Sequence, residues 1–205
     1  MTTFWSQLVE QIHATSWAEA IGAITALISV WLCLTAQLNT WIWGIVSVIA
    51  YGVFYWQSRY YANAWLQIAY YLPISFYGWW AWLRQGPKHQ NDLPVRNLKG
   101  GVHALYWLAT LPLSALIVYY LMRTDDVSAL WDGVTTGLSI VAQYMQTRKW
   151  LPNWYMWVVA DAIYVALLSS QHHYLTAIVN AVFTIMCVRG YREWVKLMHE
   201  GKAHG

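Results

Sequence analysis

Seven apolar stretches divide this chain, at roughly residues 17–37, 41–57, 62–84, 102–122, 127–146, 152–169 and 172–190. A helix needs about 20 predominantly apolar residues to cross a bilayer. The second and sixth stretches are short and extend into their loops. Few folds accept so many such runs in 205 residues, and the expected class is an all-α membrane protein. Composition agrees, with 59% hydrophobic and 10% charged residues, where soluble domains carry about a quarter charged. Pro152 suits the first turn of its helix. Pro73 and Pro112 fall inside runs and are expected to kink them.

Loop charge orients the spans. One face carries Arg84, Lys88, Arg96, Lys99, Arg148, Lys149, Arg189, Arg192, Lys196 and Lys202; the other carries only Arg59 and Arg123. Basic residues collect on the cytoplasmic side. The C-terminus is therefore expected in the cytoplasm and the N-terminus outside, which requires an odd number of spans. The start of the chain has no basic stretch leading into an apolar core and a small-residue site, so no cleaved signal is expected.

The first three spans echo the last three at an offset of about 110–114 residues. Gly22-x-x-Thr25 matches Gly133-x-x-Thr136, Trp41-x-Trp43 matches Trp154-x-x-Trp157, and Gly78-x-x-x-Trp82 matches Gly190-x-x-x-Trp194. One intervening span gives both triplets the same direction. The expected organisation is one integral membrane domain, 1–205. It comprises a three-helix repeat (17–84), a linker helix (102–122), a second, parallel three-helix repeat (127–190) and a cytoplasmic tail (191–205). Repeats of this kind place substrate near the midplane, between halves.

Asp161 is the most unusual residue. It lies near the middle of an apolar run with no basic residue close by in that run. A carboxylate at the bilayer centre costs about 2.5–3.5 kcal/mol on insertion scales, which makes it a functional candidate. Trp154 and Trp157 precede it at helical spacing, so the three are expected on one face. An acid beside indole faces suits a flat cationic ligand. Polar faces recur in other spans: Ser47, Tyr51 and Tyr55; Gln67, Tyr71 and Ser75; Thr136, Ser139, Gln143 and Gln146; Thr176, Asn180 and Thr184. A lone Ser or Thr more often makes an interhelical hydrogen bond, contributing about 0.6 kcal/mol on average. Gln67, Asn180 and Asp161 are the better candidates for substrate contact.

Other chemistries find little support. Cys33 and Cys187 fall inside apolar runs, with no CxxC pair. His172 and His173 are adjacent, point in different directions on a helix, and have no acid or Cys to complete a metal set, so an exposed loop is expected there. Asp132 sits where an acid caps a helix start. There is no HExxH, redox Cys pair or Ser/His/Asp set near one membrane face, and no nucleotide-binding motif. An enzyme is not expected, nor is a cofactor, a metal or a nucleic-acid partner. A SWEET-type sugar facilitator is the nearest functional rival, but neutral sugars do not require Asp161.

Trp43-Gly44, Gln57-x-x-x-Tyr61-Ala62, Gln67 and Tyr77-Gly78-Trp79-Trp80-Ala81-Trp82 together resemble the first half of the PnuC family of bacterial vitamin transporters. Trp131-Asp132, Leu138-Ser139-Ile140-Val141-Ala142, Thr147-Arg148-Lys149, Asn153-Trp154 and Trp157-Val158-Val159 resemble its second half. The resemblance covers roughly residues 20–195. It implies a SWEET-like fold of two three-helix bundles joined by a linker helix (3+1+3), a homotrimer in the bacterial inner membrane, and facilitated diffusion of a vitamin trapped by a cytoplasmic kinase. Nicotinamide riboside is the founding substrate. Riboside transporters usually carry Asn where this chain has Asp161, and often Asn where it has Ser75. The stretch Val159-Ala160-Asp161-Ala162 looks more like the thiamine branch, PnuT, so thiamine is the expected substrate and nicotinamide riboside the alternative. The residues expected to line the substrate path are Asp161, Trp157, Trp154, Gln67, Tyr71, Ser75, Asn180, Trp43, Ser139 and Gln143.

Overall fold

The computed structural model describes residues 4–59, 61–84, 95–98, 100–123 and 128–203. Among them the regular structure is helical, in order α1 (Phe4–Ala14), α2 (Trp17–Leu34), α3 (Thr40–Gln57), α4 (Tyr61–Leu66), a π-helical turn (Gln67–Tyr71), α5 (Leu72–Leu83), α6 (Gly100–Leu121), α7 (Ala129–Thr147), α8 (Asn153–Ser170) and α9 (Tyr174–Ala203). Lys88 and Lys99 of the expected basic face lie outside the described residues. The chain divides into two compact units, residues 1–94 and 95–205.

Each expected apolar run falls on a helix, with four differences. α2 ends at Leu34 rather than near 37, because Ala36 takes a left-handed φ of 52° in the turn that follows. α1 precedes the first run; the reading by long apolar runs passed over it because it is short and only one face is apolar. α9 continues to Ala203, so the expected tail is helical in residues 191–203. Its last turns are polar, and Lys196 pairs with Glu193 at 2.8 Å. The fourth difference concerns proline. Pro73 has no N–H to offer the carbonyl four residues back, and its ring would crowd that carbonyl. The π turn immediately before it resolves this: the Leu72 N–H reaches back to the Gln67 carbonyl, and Pro73 falls in the first turn of α5. α6 remains α-helical from Gly100 to Leu121 through Pro112. Pro152 stands one position before the first turn of α8, at its N-cap.

In the first unit, α3 packs along α2 and against α4, the π turn and α5. Small residues let α2 and α3 approach, and hydroxyls bond across them. Ser47 Oγ donates to the Gly22 carbonyl at 2.9 Å. Ser29 and Thr40 each donate to the other's carbonyl at 2.8 Å. In the second unit, α7 packs against α6 and α8, and α8 against α9. Gly133 and Gly137, one turn apart, bring α7 against Val118 and Ser114 of α6; a Cβ at either glycine would collide with them. Leu138, Ala142 and Met145 of α7 form a core with Met156 and Ala160 of α8, and Trp157 packs against it. The segment before α6 is pinned to the α7–α8 turn: the Arg96 N–H bonds the Lys149 carbonyl and the Leu151 N–H bonds the Arg96 carbonyl, at 3.1 and 2.9 Å.

The two units repeat local features at a near-constant offset. The four non-glycine residues with left-handed φ among the described residues fall in pairs 113 apart, Ala36 with Lys149 and Arg59 with His172. Trp41 packs edge-on against Trp82 at 5.3 Å, and Trp154 edge-on against Trp194 at 5.2 Å. Gly78 faces the Trp41 ring as Gly190 faces the Trp154 ring. Trp41 and Trp154 are 113 apart, but Gly78 and Gly190, like Trp82 and Trp194, are 112 apart. The first unit thus holds one extra residue between Arg59 and Gly78, where the π turn lies. A π turn is how a helix absorbs one inserted residue.

Among the described residues, three helices are long and apolar enough to cross a membrane by length and composition: Trp17–Leu34, Ala104–Leu121 and Tyr174–Glu200. Their outward faces are strongly apolar, with Ile21, Ile24 and Trp31 on α2 and Leu105, Leu108, Leu111 and Leu116 on α6 all exposed. Apolar surface of this extent belongs against lipid.

Candidate functional site

α8 carries the chemistry of the second unit. Trp154, Trp157, Asp161 and Tyr164 recur every three or four residues along it, but they do not share one neighbour. A helix turns about 100° per residue. Asp161 is therefore displaced only about 20° from Trp154, while Trp157 lies about 60° to one side. Trp154 and Asp161 accordingly face α9, and Trp157 faces the α7 core. Trp154 is buried between Gly190 and Trp194, and its indole N–H has no hydrogen-bond partner. The expectation of two indoles framing one acid is thus corrected. Trp154 is a packing residue in this conformation, and Trp157 is the half-buried indole beside the acid's helix face.

Asp161 is itself buried. Its described polar contact is with Cys187 of α9, whose Sγ donates to Oδ2 at 3.7 Å. Tyr164, one turn further along α8, lies within reach of the Thr135 and Thr136 hydroxyls and close enough to Asp161 and Asp132 to feel their charge. Asp161, Tyr164, Thr135, Thr136 and Cys187 thus form a polar group drawn from α7, α8 and α9. A group with a carboxylate and several hydroxyls can accept from, and pair with, a ligand bearing a cation and donors. Tyr164 was missed in the sequence reading, although it continues the spacing from Trp157 and Asp161. Cys187 was seen only as a thiol without a disulfide partner. Of the other α7 candidates, Ser139 is buried and Gln143 half-buried. Asn180 on α9 donates to the Thr176 carbonyl at 2.8 Å, and Thr184 donates to the Asn180 carbonyl at 2.9 Å. That polar face bonds its own helix.

In the first unit, Gln67 and Tyr71 bound the π turn, and both are half-buried. Gln67 lies over Gly52 of α3, where an added Cβ would stand 3.7 Å from the Gln67 Cβ. Ser75 is buried on α5. It corresponds to Cys187 at the 112-residue offset, so both units bury a small polar side chain one turn before the glycine under the tryptophan. Trp43 is exposed, whereas Trp41 carries the buried packing role. The matched motifs Trp41-x-Trp43 and Trp154-x-x-Trp157 thus share a structural role through their first tryptophans, Trp41 and Trp154. Ser47, expected on a polar face, makes the interhelical bond to Gly22. His172 is exposed and bonds the Tyr174 hydroxyl through Nδ1 at 2.8 Å. Cys33 and Cys187 are both buried and form no disulfide. Among the described residues no group of His, Cys, Asp and Glu is arranged to hold a metal.

Apolar helices locked by small residues and enclosing a buried acid define an integral membrane transporter. The chain matches the nicotinamide mononucleotide transporter family over residues 16–196 and belongs to it. It is 27% identical to the nicotinamide riboside transporter PnuC of Escherichia coli, over 90% of this chain and 87% of that protein. It is 21% identical to the Neisseria mucosa PnuC, over 91% and 76%, and 25% identical to the riboflavin/roseoflavin transporter RibM of Streptomyces davaonensis, over 87% and 84%. The crystal structure of the vitamin B3 transporter PnuC superposes with a TM-score of 0.77 at 20% identity, covering 97% of this chain and 89% of that one. The chain is a transporter of a small-molecule vitamin, not an enzyme.

Proposed function

We propose that this protein carries nicotinamide riboside into the cell by facilitated diffusion. The observation that carries this reading is the match, over about nine-tenths of the chain, to relatives named as nicotinamide riboside transporters. It displaces thiamine, which the stretch around Asp161 had favoured. The riboside is a flat cationic ring with hydroxyl and amide donors; the Trp157 indole suits the ring, and the Asp161 carboxyl with its neighbouring hydroxyls offers acceptors for the donors, a capacity that an amide at 161 would keep. Asp161, Trp157, Ser139 and Gln143 are the proposed substrate contacts on α7 and α8; Gln67, Tyr71, Ser75 and Trp43 are further proposed contacts on α3, the π turn and α5. Trp154 and Asn180 shape α8 and α9 around them.

The membrane arrangement that fits this role has seven spans. α2, α3 and α4–α5 form one three-helix repeat, α7, α8 and α9 the other, and α6 links them in a 3+1+3 order. The N-terminus lies outside and the C-terminus in the cytoplasm, in accord with the basic loops. The protein works as a homotrimer in the inner membrane, and a cytoplasmic kinase traps the imported vitamin.

Thiamine remains a second reading, favoured by the buried carboxylate at 161, where the resemblance to riboside transporters implies Asn. Titration calorimetry on wild type and Asp161→Asn separates the two. Nicotinamide riboside binding persists in Asp161→Asn, because the amide keeps the shape and hydrogen-bonding capacity of the site. Any thiamine binding falls about tenfold or more, the effect of losing roughly 1.5–3 kcal/mol of a charged hydrogen bond. Wild-type protein that binds thiamine and not the riboside sinks the first reading.

A further inference from the structure

α1 is the one described helix that packs against no other helix. It buries none of its 11 residues. Yet it is patterned: Trp5, Leu8, Val9 and Ile12 fall at positions i, i+3, i+4 and i+7 with Phe4 at the stripe's edge, while Ser6, Gln7, Glu10, Gln11 and His13, with Ala14, occupy the rest of the circumference. Trp5, Val9 and Ile12 are 70%, 52% and 54% exposed. An apolar stripe of this kind is not stable against water and needs a cover.

The geometry limits what that cover is. Eleven residues at 1.5 Å each span about 16 Å, half of the roughly 30 Å hydrocarbon core, so α1 does not cross the bilayer. Only Thr15 and Ser16 separate it from α2, and both are tied down. Thr15 Oγ1 donates to the Gln11 carbonyl at 2.8 Å, closing α1. Ser16 Oγ accepts from the Glu19 N–H at 3.2 Å, opening α2. Two residues reach at most about 7 Å. α2 is one of the helices apolar enough to span, and it begins with exposed Trp17. The end of α1 is therefore held at the level where a spanning helix enters the membrane.

We propose that α1 is an interfacial helix lying along the outer membrane surface, with Trp5, Leu8, Val9 and Ile12 sunk into the boundary between headgroups and acyl chains. Its partner is the lipid itself. α1 carries Glu10 and no Lys or Arg. Attachment therefore rests on apolar burial rather than on anionic headgroups, unlike the basic amphipathic helices that bind acidic lipid. Through the short corner at Thr15–Ser16, α1 sets the height and tilt of α2, whose Ser29 and Gly22 carry the bonds to α3.

Site-directed spin labelling of the full chain in phosphatidylcholine liposomes tests this. Single cysteines replace Trp5, Ser6, Leu8, Val9, Glu10, Ile12 and His13 in turn. The natural Cys33 and Cys187 are buried, and the unmodified protein serves as the blank. Collision with oxygen reports lipid, and collision with a water-soluble nickel chelate reports water. Labels at 5, 8, 9 and 12 are expected to favour oxygen and labels at 6, 10 and 13 nickel, in a 3.6-residue period. The pattern is expected to be unchanged when a third of the lipid is phosphatidylglycerol, or in high salt. Nickel access at every position would overturn the proposal in favour of a solvated segment. Exclusion of both reagents at 5, 9 and 12 would overturn it in favour of a protein partner such as a second copy of the chain. A pattern that appears only with anionic lipid would overturn the apolar mode of attachment.

Discussion

Replacing Gly190 with alanine should strike the packing that the two units share. A Cβ at Gly190 would stand between 2.5 and 2.7 Å from three carbons of the Trp154 six-membered ring. Ordinary contact needs about 3.4–4 Å, so the ring must retreat by about 1 Å. It has nowhere to go, because Trp154 is 2% exposed and Trp194, edge-on at 5.2 Å, is fully buried. Overpacking of a tight core costs about 1–3 kcal/mol. The site is rigid, so the upper part of that range applies, and alanine's better helix propensity returns about 1 kcal/mol. The net loss is about 1–2 kcal/mol, which lowers the melting temperature by about 2–8 °C for a chain of this size. Thermal unfolding of the detergent-solubilised protein, followed by tryptophan fluorescence, measures it. Gly101→Ala is the control, since a Cβ there meets nothing within 4 Å; it should be neutral or slightly stabilising. Trp154→Phe in the Gly190→Ala background should recover part of the loss, a coupling of about 1 kcal/mol. Equal melting of Gly190→Ala and Gly101→Ala would refute the packing argument. Gly78→Ala, against Trp41, should behave as Gly190→Ala does.

Ser47→Ala removes the bond to the Gly22 carbonyl and should cost about 0.6 kcal/mol, or roughly 1–2 °C in melting temperature; a loss above about 8 °C would mean that Ser47 does more than join α2 to α3. Uptake into liposomes should run at the same rate with or without a proton or sodium gradient, and accumulation above the outside concentration under such a gradient would show coupling. Cysteines placed at Thr2 and Lys202 should react with impermeant reagents from opposite sides of the membrane; labelling from one side would remove the seven-span arrangement. Tyr164→Phe, which deletes a hydroxyl near Asp161 and Thr135, should weaken substrate binding about three- to tenfold, as expected for one hydrogen bond of about 0.5–1.5 kcal/mol. Unchanged affinity would confine Tyr164 to packing.

Most helices were legible because apolar length is a coarse and cumulative signal. What was not legible depended on single residues. The internal echo looked weak in sequence because one extra residue in the first unit shifts the offset from 113 to 112 between Arg59 and Gly78. Only the π turn at Gln67–Tyr71 reveals where that residue is absorbed. The match of Trp41 with Trp154 was legible at the 113-residue offset, but their shared packing role was not. Both Trp41 and Trp43 fit an aromatic motif, and only burial against Trp82 tells them apart. At the candidate site, Asp161 announced itself by its charge. Its environment did not, because Cys187, Thr135 and Tyr164 come from three helices and none is unusual in a membrane span. Asn180 was expected to face substrate, but an amide on a helix can equally bond the carbonyl one turn back, as it does to Thr176. Helix α1 escaped notice because its apolar residues lie on one face of only three turns.

Counterflow in proteoliposomes tests the central claim most directly. Vesicles containing the purified protein are loaded with unlabelled nicotinamide riboside and diluted into a trace of the labelled compound, with no ion gradient and no nucleotide. Labelled riboside should enter rapidly and transiently exceed the outside level, and the entry should be saturable and absent from protein-free vesicles. Entry of labelled thiamine or riboflavin under matched loading, with none of the riboside, would contradict the account.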